Sequence, residues 1–206
     1  MVYRATAATE ARKAGVRQGI LAATRELVAA GGFGMVQVSD VARRAGVATG
    51  TIYRYFPSKP FLFAEVFRRA SQREVDELQT IADRKDAASA RLRDTIRVFT
   101  TRAARARRLA YALIAEPVDP LIESERLRFR SAYDRIFRQI LRDGVEAGEF
   151  VAIDIPVAAA CVVGALAESL VGPLAPDAHL SDRELEELIG NVTAFCLRAT
   201  TGRKDP

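Results

Sequence analysis

An all-α fold is the expectation for this chain, and three observations predict it. Glycine and proline are sparse, 13 and 8 in 206 residues, so long segments run without a helix breaker. Apolar residues recur at steps of three and four in one segment after another. The balance of 49% apolar, 28% charged and 7% aromatic residues is that of an ordinary soluble chain, not a disordered one. The length suits one or two domains with a proper core.

Residues 1–8 read as a loose tail. From about Ala11 to Ala30, the positions Val16, Ile20, Thr24, Leu27 and Val28 form the buried stripe of a first helix. Gly31-Gly32 ends it, because glycine readily takes the left-handed cap conformation, and Phe33 reaches back as an apolar anchor. In a second helix, Val38 to Ala45, the residues Val38, Val41, Ala42 and Ala45 share one face while Asp40, Arg43 and Arg44 point away. Gly46 permits a tight turn with Val47 beneath it. A third helix, Thr49 to Phe56, turns Ile52, Phe56 and part of Tyr55 inward until Pro57 stops it. A small residue at 42, a glycine at 46 and an apolar plug at 52 are what two closely crossed helices need, and this is helix-turn-helix spacing.

Ser58 is placed to N-cap a fourth helix from Lys59 to about Ile81, with Pro60 in its first turn, where the missing amide hydrogen does no harm. After a polar break over Asp83–Asp86, Leu92, Ile96, Phe99 and Ala103 line a fifth helix. A shorter sixth runs from Arg107 to Ala115 and closes at Glu116-Pro117. Pro120 opens a seventh, to about Ala147, with Phe129, Tyr133, Ile136, Phe137, Ile140 and Leu141 on one stripe before Gly148 ends it. Ile155 to Val171 is apolar almost all round, with small Ala158, Ala159, Ala160, Gly164 and Ala165, so both its sides need cover. The last helix, Ser181 to about Arg198, opens with a Ser181/Glu184 capping box and carries Leu185, Leu188, Ile189, Val192 and Cys196 on one stripe. The total is about nine helices.

Charge is unevenly placed. Residues 1–60 hold nine Lys/Arg and three Asp/Glu, a net of +6, whereas the remaining 22 and 23 nearly cancel within the overall +5. Positive charge gathered on one small module is the footprint expected of a polyanion binder, although a solvated surface gives the same count. Cys161 and Cys196 lie far apart without a CxxC pair, against a cysteine zinc site or a secreted disulfide framework; they read as inert buried thiols, with a redox sensor as the alternative. The N-terminus has no apolar signal region, and the longest uncharged apolar run, Ile155–Ala167, is 13 residues, too short for a bilayer span. A cytoplasmic protein with no membrane partner is the expectation. The only histidine, His179, stands in a loop without a second histidine, a nucleophile elbow or a phosphate-cradling glycine loop, so an enzyme, a metal site and a cofactor are not expected.

The segment GGFGMVQVSDVARRAGVATGTIYRYFPSKPFLFAEVF closely resembles the N-terminal module of TetR-type transcriptional regulators. The resemblance rests on Ala45-Gly46-Val47, on Gly50-Thr51-Ile52-Tyr53 and on Tyr55-Phe56-Pro57-Ser58-Lys59. It implies a DNA-binding domain over residues 1–58 and a helical ligand-binding and dimerisation domain over 59–206. It also implies that Thr49, Gly50 and Tyr53 meet base edges, while Thr51, Arg54, Tyr55 and Lys59 hold phosphates; Arg44, Arg43, Arg12, Lys13 and Arg17 are further backbone-contact candidates. Phosphate contacts fix register and few side chains read bases, which agrees. Two positions depart from the family pattern. Val36 stands where a threonine cap is usual, and Ala48 replaces a frequent serine cap.

The same resemblance implies a ligand cavity between the fifth to seventh helices and a dimer interface on the last two. Candidate cavity residues are Phe99, Tyr111, Leu113, Glu116, Phe129, Tyr133, Phe137 and Cys161, the tyrosine hydroxyl at 133 being suited to orient a ligand. Their character suggests an apolar or aromatic small-molecule effector. Candidate interface residues are Val157, Cys161, Gly164, Ala165, Glu168, Leu185, Leu188 and Val192, and a two-fold partner is the simplest cover for the all-apolar helix. Arg97, Arg102, Arg105, Arg107 and Arg108 form either a solvated, acid-paired face or a contact to DNA or the first helix. The functional expectation is a homodimeric repressor on a palindromic duplex, released by its effector. The alternative is a helical ligand-binding protein of the same fold that activates or has no DNA role; intact Thr51, Tyr53, Arg54 and Lys59 argue against the latter.

Overall fold

A computed structural model describes residues 7–202, and among them lie nine helices and no strand. They are α1 (Ala7–Gly31), α2 (Val38–Ala45), α3 (Thr49–Tyr55), α4 (Lys59–Ala82), α5 (Ala88–Arg105), α6 (Arg107–Ile114), α7 (Pro120–Glu146), α8 (Ile155–Leu174) and α9 (Asp182–Thr201). Residues 1–6 of the expected tail lie outside the described residues, and Ala7 and Ala8 belong to α1 instead. The helix ends follow the expected chemistry with a few differences. Gly32 and Gly46 take positive φ of 81° and 66° after α1 and α2, and Gly148 does so at 72° after α7. Asp119 and Asp154 cap α7 and α8 by accepting from Leu121 and Val157 N–H, and the Ser181/Glu184 capping box forms in full. Ser58 occupies the N-cap of α4 in extended backbone, but its hydroxyl makes no capping bond.

Three apolar clusters hold the helices. The first joins Ile20 and Val28 of α1, Val41 of α2 and Ile52 of α3 to Phe33, Phe56, Leu62, Phe63 and Phe67, and continues into Leu109, Ile122 and Phe129. The helix-turn-helix therefore shares one core with α4, α6 and α7. The Phe33 ring lies 5.3 Å from Phe63 and 6.5 Å from Phe67, and Phe67 lies 6.2 Å from Phe129. A second cluster gathers Leu78, Leu92, Ile96, Ile136, Phe137, Ile140, Val162 and Cys196 where α4, α5, α7, α8 and α9 meet. A third, smaller one is Ala103, Ala110, Leu170 and Leu174.

The apolar helix α8 differs from expectation in its length. It runs on past Val171 to Leu174, with Pro173 inside its last turn, so at 20 residues it is long and apolar enough to cross a membrane. The core helix of a soluble protein passes the same test. Only one face is covered by the chain: Ala159, Val162, Leu166 and Leu170 are buried, whereas Val157, Cys161 and Gly164 are exposed.

The start of α5 is capped from a distance. Its N-cap is Ala87, which has no side-chain oxygen, and Glu149 from the α7–α8 connection fills the gap. The Ala88 and Ser89 N–H groups donate to its two oxygens at 2.8 and 3.0 Å, and the Ser89 hydroxyl donates at 2.8 Å. These bonds, led by that from the Ser89 backbone, hold the Glu149 carboxyl below its usual range. A depressed pKa means that the stabilisation is complete above the ordinary value of 4.5 and is lost as pH falls through the lower folded value. Glu149→Gln is accordingly expected to destabilise the protein at neutral pH, with the difference from wild type shrinking in acid; paired urea unfolding curves at the two conditions check it.

Candidate functional site

The surface of α3 is built by its two buried residues. Ile52 and Phe56 sink into the first core, and that fixes which side chains face outward. Thr49, Gly50, Tyr53 and Arg54 are exposed, Tyr53 at 49% of its area, while Thr51, Tyr55 and Lys59 are half-buried. Phe56 is core, as its spacing predicts, and Tyr55 packs against that core. A Cβ placed on Gly50 would meet nothing within 4 Å, so packing inside the chain does not require glycine there. The Lys59 ammonium lies over the Phe63 ring at 5.2 Å, which orients it beside the exit of α3. Val36 is buried, and α2 and α3 start at Gln37 and Ala48 without a side-chain cap.

Several basic candidates are tied to acidic neighbours. Arg44 donates to Glu26, with its nearest contact at 2.6 Å, and Arg43 to Asp40 at 2.6 Å. Lys13 pairs with Glu10 at 2.9 Å. Arg17 pairs with Glu65 at 3.0 Å and lies over the Phe56 ring at 5.2 Å, so it braces α1 against α4. Burial raises the Glu65 carboxyl, but hydrogen bonds from Arg17 and Arg69 outweigh that and hold it below the usual range. Exposed pairs such as Arg44–Glu26 exchange easily with phosphate, whereas Arg17 is a structural brace.

A clamp joins this module to the rest of the chain. The Phe33 and Gly34 N–H groups donate to the two carboxylate oxygens of Glu116 at 3.0 and 2.8 Å. The φ of 81° favours glycine at position 32, and a Cβ there would lie 2.5 Å from a Glu116 oxygen, displacing the carboxylate from its two amides. Arg126 of α7 holds the segment carrying Glu116, donating to the carbonyls of Leu113 at 2.9 Å and Glu116 at 2.7 Å. Burial, the largest cause, lowers the Arg126 pKa.

Beyond the clamp lies a cavity of about 370 Å³, a size ordinary for a small-molecule site. Phe99, Leu113, Phe129, Tyr133 and Phe137 come together in its wall, along with Phe67, Leu109 and Leu166, which the sequence did not single out. Three expected members do not. Glu116 is engaged by the clamp, Tyr111 packs against the third cluster, and Cys161 is exposed on the outer face of α8. Tyr133 meets Phe99 edge-on at 5.6 Å. Burial, then the charge of Glu74, pushes its phenol pKa up, and neither its hydroxyl nor that of Ser71 has a hydrogen-bond partner among the described residues. Six arginines line the same cavity against one carboxylate, Glu74, which takes Arg102 at 2.7 and 2.9 Å.

The five-arginine cluster does not form one surface. Arg97 pairs with Glu186, Arg102 with Glu74, Arg107 donates to the Ala175 and Ala178 carbonyls, Arg108 reaches the Gly31 carbonyl at the end of α1, and Arg105 lines the cavity.

On the outer face of α8 and α9, Val157, Cys161, Gly164 and Glu168 are exposed and Ala165 and Leu185 are half-buried. Leu188 and Val192 instead pack inward on the second cluster, because the α9 stripe faces α5. Phe195 of α9 is 57% exposed; its position beside the stripe residue Cys196 hides it in sequence. Cys161 is thus not the buried thiol expected, whereas Cys196 is buried and its pKa is pushed up to about 11. Glu116→Ala is expected to leave the Phe33 and Gly34 amides without an acceptor, at a cost of about 1–3 kcal/mol, with faster hydrogen exchange at those two amides as the readout.

Comparison with known proteins covers both parts. A family model described as "Bacterial regulatory proteins, tetR family" matches residues 20–66, and one described as "Tetracyclin repressor-like, C-terminal domain" matches residues 85–170. The chain is 49% identical over 57 residues to the HTH-type transcriptional repressor KstR of Rhodococcus jostii (strain RHA1), a match covering 28% of this chain and 27% of that protein. It thus spans only about a quarter of that relative's length. It is 26% identical over 181 residues to the fatty acid metabolism regulator protein of Bacillus subtilis (strain 168), covering 84% of this chain and 93% of the relative. Among solved structures it is similar to the fatty acid degradation regulator FadR from Bacillus halodurans, with a TM-score of 0.76 and 24% identity over 88% of this chain and 94% of that one. The transcriptional regulator FadR from Bacillus subtilis in complex with stearoyl-CoA gives 0.75 and 24%, over 87% and 97%. At such identities the structures demonstrate a shared fold.

Proposed function

The chain belongs to the TetR family of bacterial transcriptional regulators, and from that premise we propose that it acts in the cytoplasm as a homodimeric repressor of a palindromic operator, released by a small-molecule effector with an apolar portion. The observation that carries this reading is the exposed face of α3, where Thr49, Gly50, Tyr53 and Arg54 stand free on a helix anchored by Ile52 and Phe56. In this reading residues 1–58 hold the DNA, with Thr49, Gly50 and Tyr53 at base edges. Thr51, Arg54, Tyr55 and Lys59 take phosphates, and Arg44 joins them by exchanging Glu26 for a phosphate. Residues 59–206 carry the effector and the dimer contact.

The effector class we propose is an acyl chain carried as a coenzyme A thioester. The phenylalanine-lined interior suits an aliphatic chain, the unpartnered Tyr133 hydroxyl offers a hydrogen bond to a carbonyl, and a relative of the same fold is seen with stearoyl-CoA. The second copy would cover the outer face of α8 and α9 through Val157, Cys161, Gly164, Ala165, Glu168 and Phe195, building a four-helix bundle across the two-fold axis. Effector binding would favour a spacing of the two α3 helices that misfits the operator.

Fluorescence anisotropy on duplexes from the protein's own promoter region tests the DNA reading. Tyr53→Ala is expected to lose mainly sequence preference, by about 1–3 kcal/mol, and Lys59→Ala to weaken all duplexes and reduce the salt slope by about 1. Equal affinity of the wild type for genomic and random duplexes would defeat the proposal. Phe195→Glu is expected to convert the dimer to monomers in sedimentation velocity, with helix content retained.

A further inference from the structure

Two of the six arginines around the cavity are already engaged, Arg102 by Glu74 and Arg126 by Glu123 and main-chain carbonyls. The other four, Arg25, Arg73, Arg105 and Arg130, are exposed and have no ion-pair or hydrogen-bond partner among the described residues. They come from four different helices, α1, α4, α5 and α7. Glu74, the one carboxylate in the lining, is consumed by Arg102. Elsewhere the chain does supply carboxylates to its arginines: Glu65 alone takes Arg17, Arg68 and Arg69. Four exposed, unneutralised guanidiniums lining one cavity add like charge to it, and an anion with several charges offsets that. Each guanidinium is a planar fork matched to phosphate oxygens. A single carboxylate has too few oxygens to engage forks from four helices, whereas a head group with several phosphates does not.

We infer that Arg25, Arg73, Arg105 and Arg130 form a polyanion subsite for the phosphorylated head of the effector, and that Arg25 makes this head the tie between the ligand and the DNA-binding module. This deepens the acyl-thioester reading above and rests on it. Arg25 is the only one of the four on α1, and α1 supplies Ile20 and Val28 to the core on which α2 and α3 are built. The apolar chain fills the interior and provides affinity. The charged head, gripping α1 together with α4, α5 and α7, sets the position of α1 relative to the other three. Occupancy of the interior alone therefore leaves DNA affinity nearly unchanged, and occupancy of interior and rim together lowers it.

The test uses the full chain with stearoyl-CoA, stearate and coenzyme A as probes, measuring ligand affinity by titration calorimetry and operator release by anisotropy. Wild type is expected to bind stearoyl-CoA more weakly as salt rises, and to release DNA with stearoyl-CoA but not with stearate. The triple change Arg73→Gln, Arg105→Gln and Arg130→Gln is expected to weaken stearoyl-CoA and coenzyme A by roughly tenfold or more, with stearate unaffected. Arg25→Gln is expected to retain stearate binding and unliganded operator affinity while losing most of the release by saturating stearoyl-CoA, with Arg25→Lys restoring part of it. Stearoyl-CoA bound equally by wild type and the triple variant, or full release by stearate, overturns the inference and leaves the acyl effector standing. Failure of wild type to bind either stearate or stearoyl-CoA overturns both.

Discussion

The insertion of Phe33 between two parts of the chain is the contact on which the rest of the structure depends. Its ring lies against Phe63 and Phe67 of α4, and Phe67 carries the contact on to Phe129 of α7. At the same point the backbone amides of residues 33 and 34 end on the Glu116 carboxylate. An apolar column and a charge-assisted pair of hydrogen bonds thus act on the same few residues. Each aromatic burial is worth on the order of 2–3 kcal/mol, so detaching α1–α3 as a free unit would cost more than any one surface contact could return. The helix-turn-helix is in consequence not a bead on a linker but one end of a continuous core.

That continuity gives the cavity a short physical route to the helix-turn-helix. Phe67 and Phe129 belong both to the shared core and to the cavity wall. Arg126 also belongs to both, lining the cavity while holding the Glu116 carbonyl. A ligand that turns either ring or draws on the guanidinium acts within two contacts of Phe33. Packed interiors respond to such changes by switching between discrete arrangements rather than by yielding gradually.

Much of this architecture was legible in the sequence because its causes are local. Gly46 after Ala42, the Ser181/Glu184 box and the stripe from Phe129 to Leu141 are short-range patterns, and the helices stand where they place them. What escaped was set by residues distant in sequence. Glu116 reads as a cavity acid until the α1–α2 connection is placed beside it, and nothing in the sequence pairs Arg17 with Glu65 of α4. The arginines at 25, 73, 105 and 130 share no periodicity, since they belong to four helices and meet only in three dimensions. In α8 the apolar pattern runs all round, so nothing in it distinguishes the covered side from the open one. The exposure of Cys161 was hidden for that reason.

The two cysteines now differ in a useful way. Cys196 is buried, with a thiol whose pKa of about 11 leaves almost no thiolate at neutral pH, whereas Cys161 is open to solvent on the outer face of α8. Nature has in effect placed a single alkylatable handle on the surface where two copies would meet. A thiol reagent added to the native protein would read that surface directly, its rate falling with protein concentration if the proposed second copy sits there, and a spin label at the same sulfur would turn the packing of α8 into a spectrum without any engineered residue.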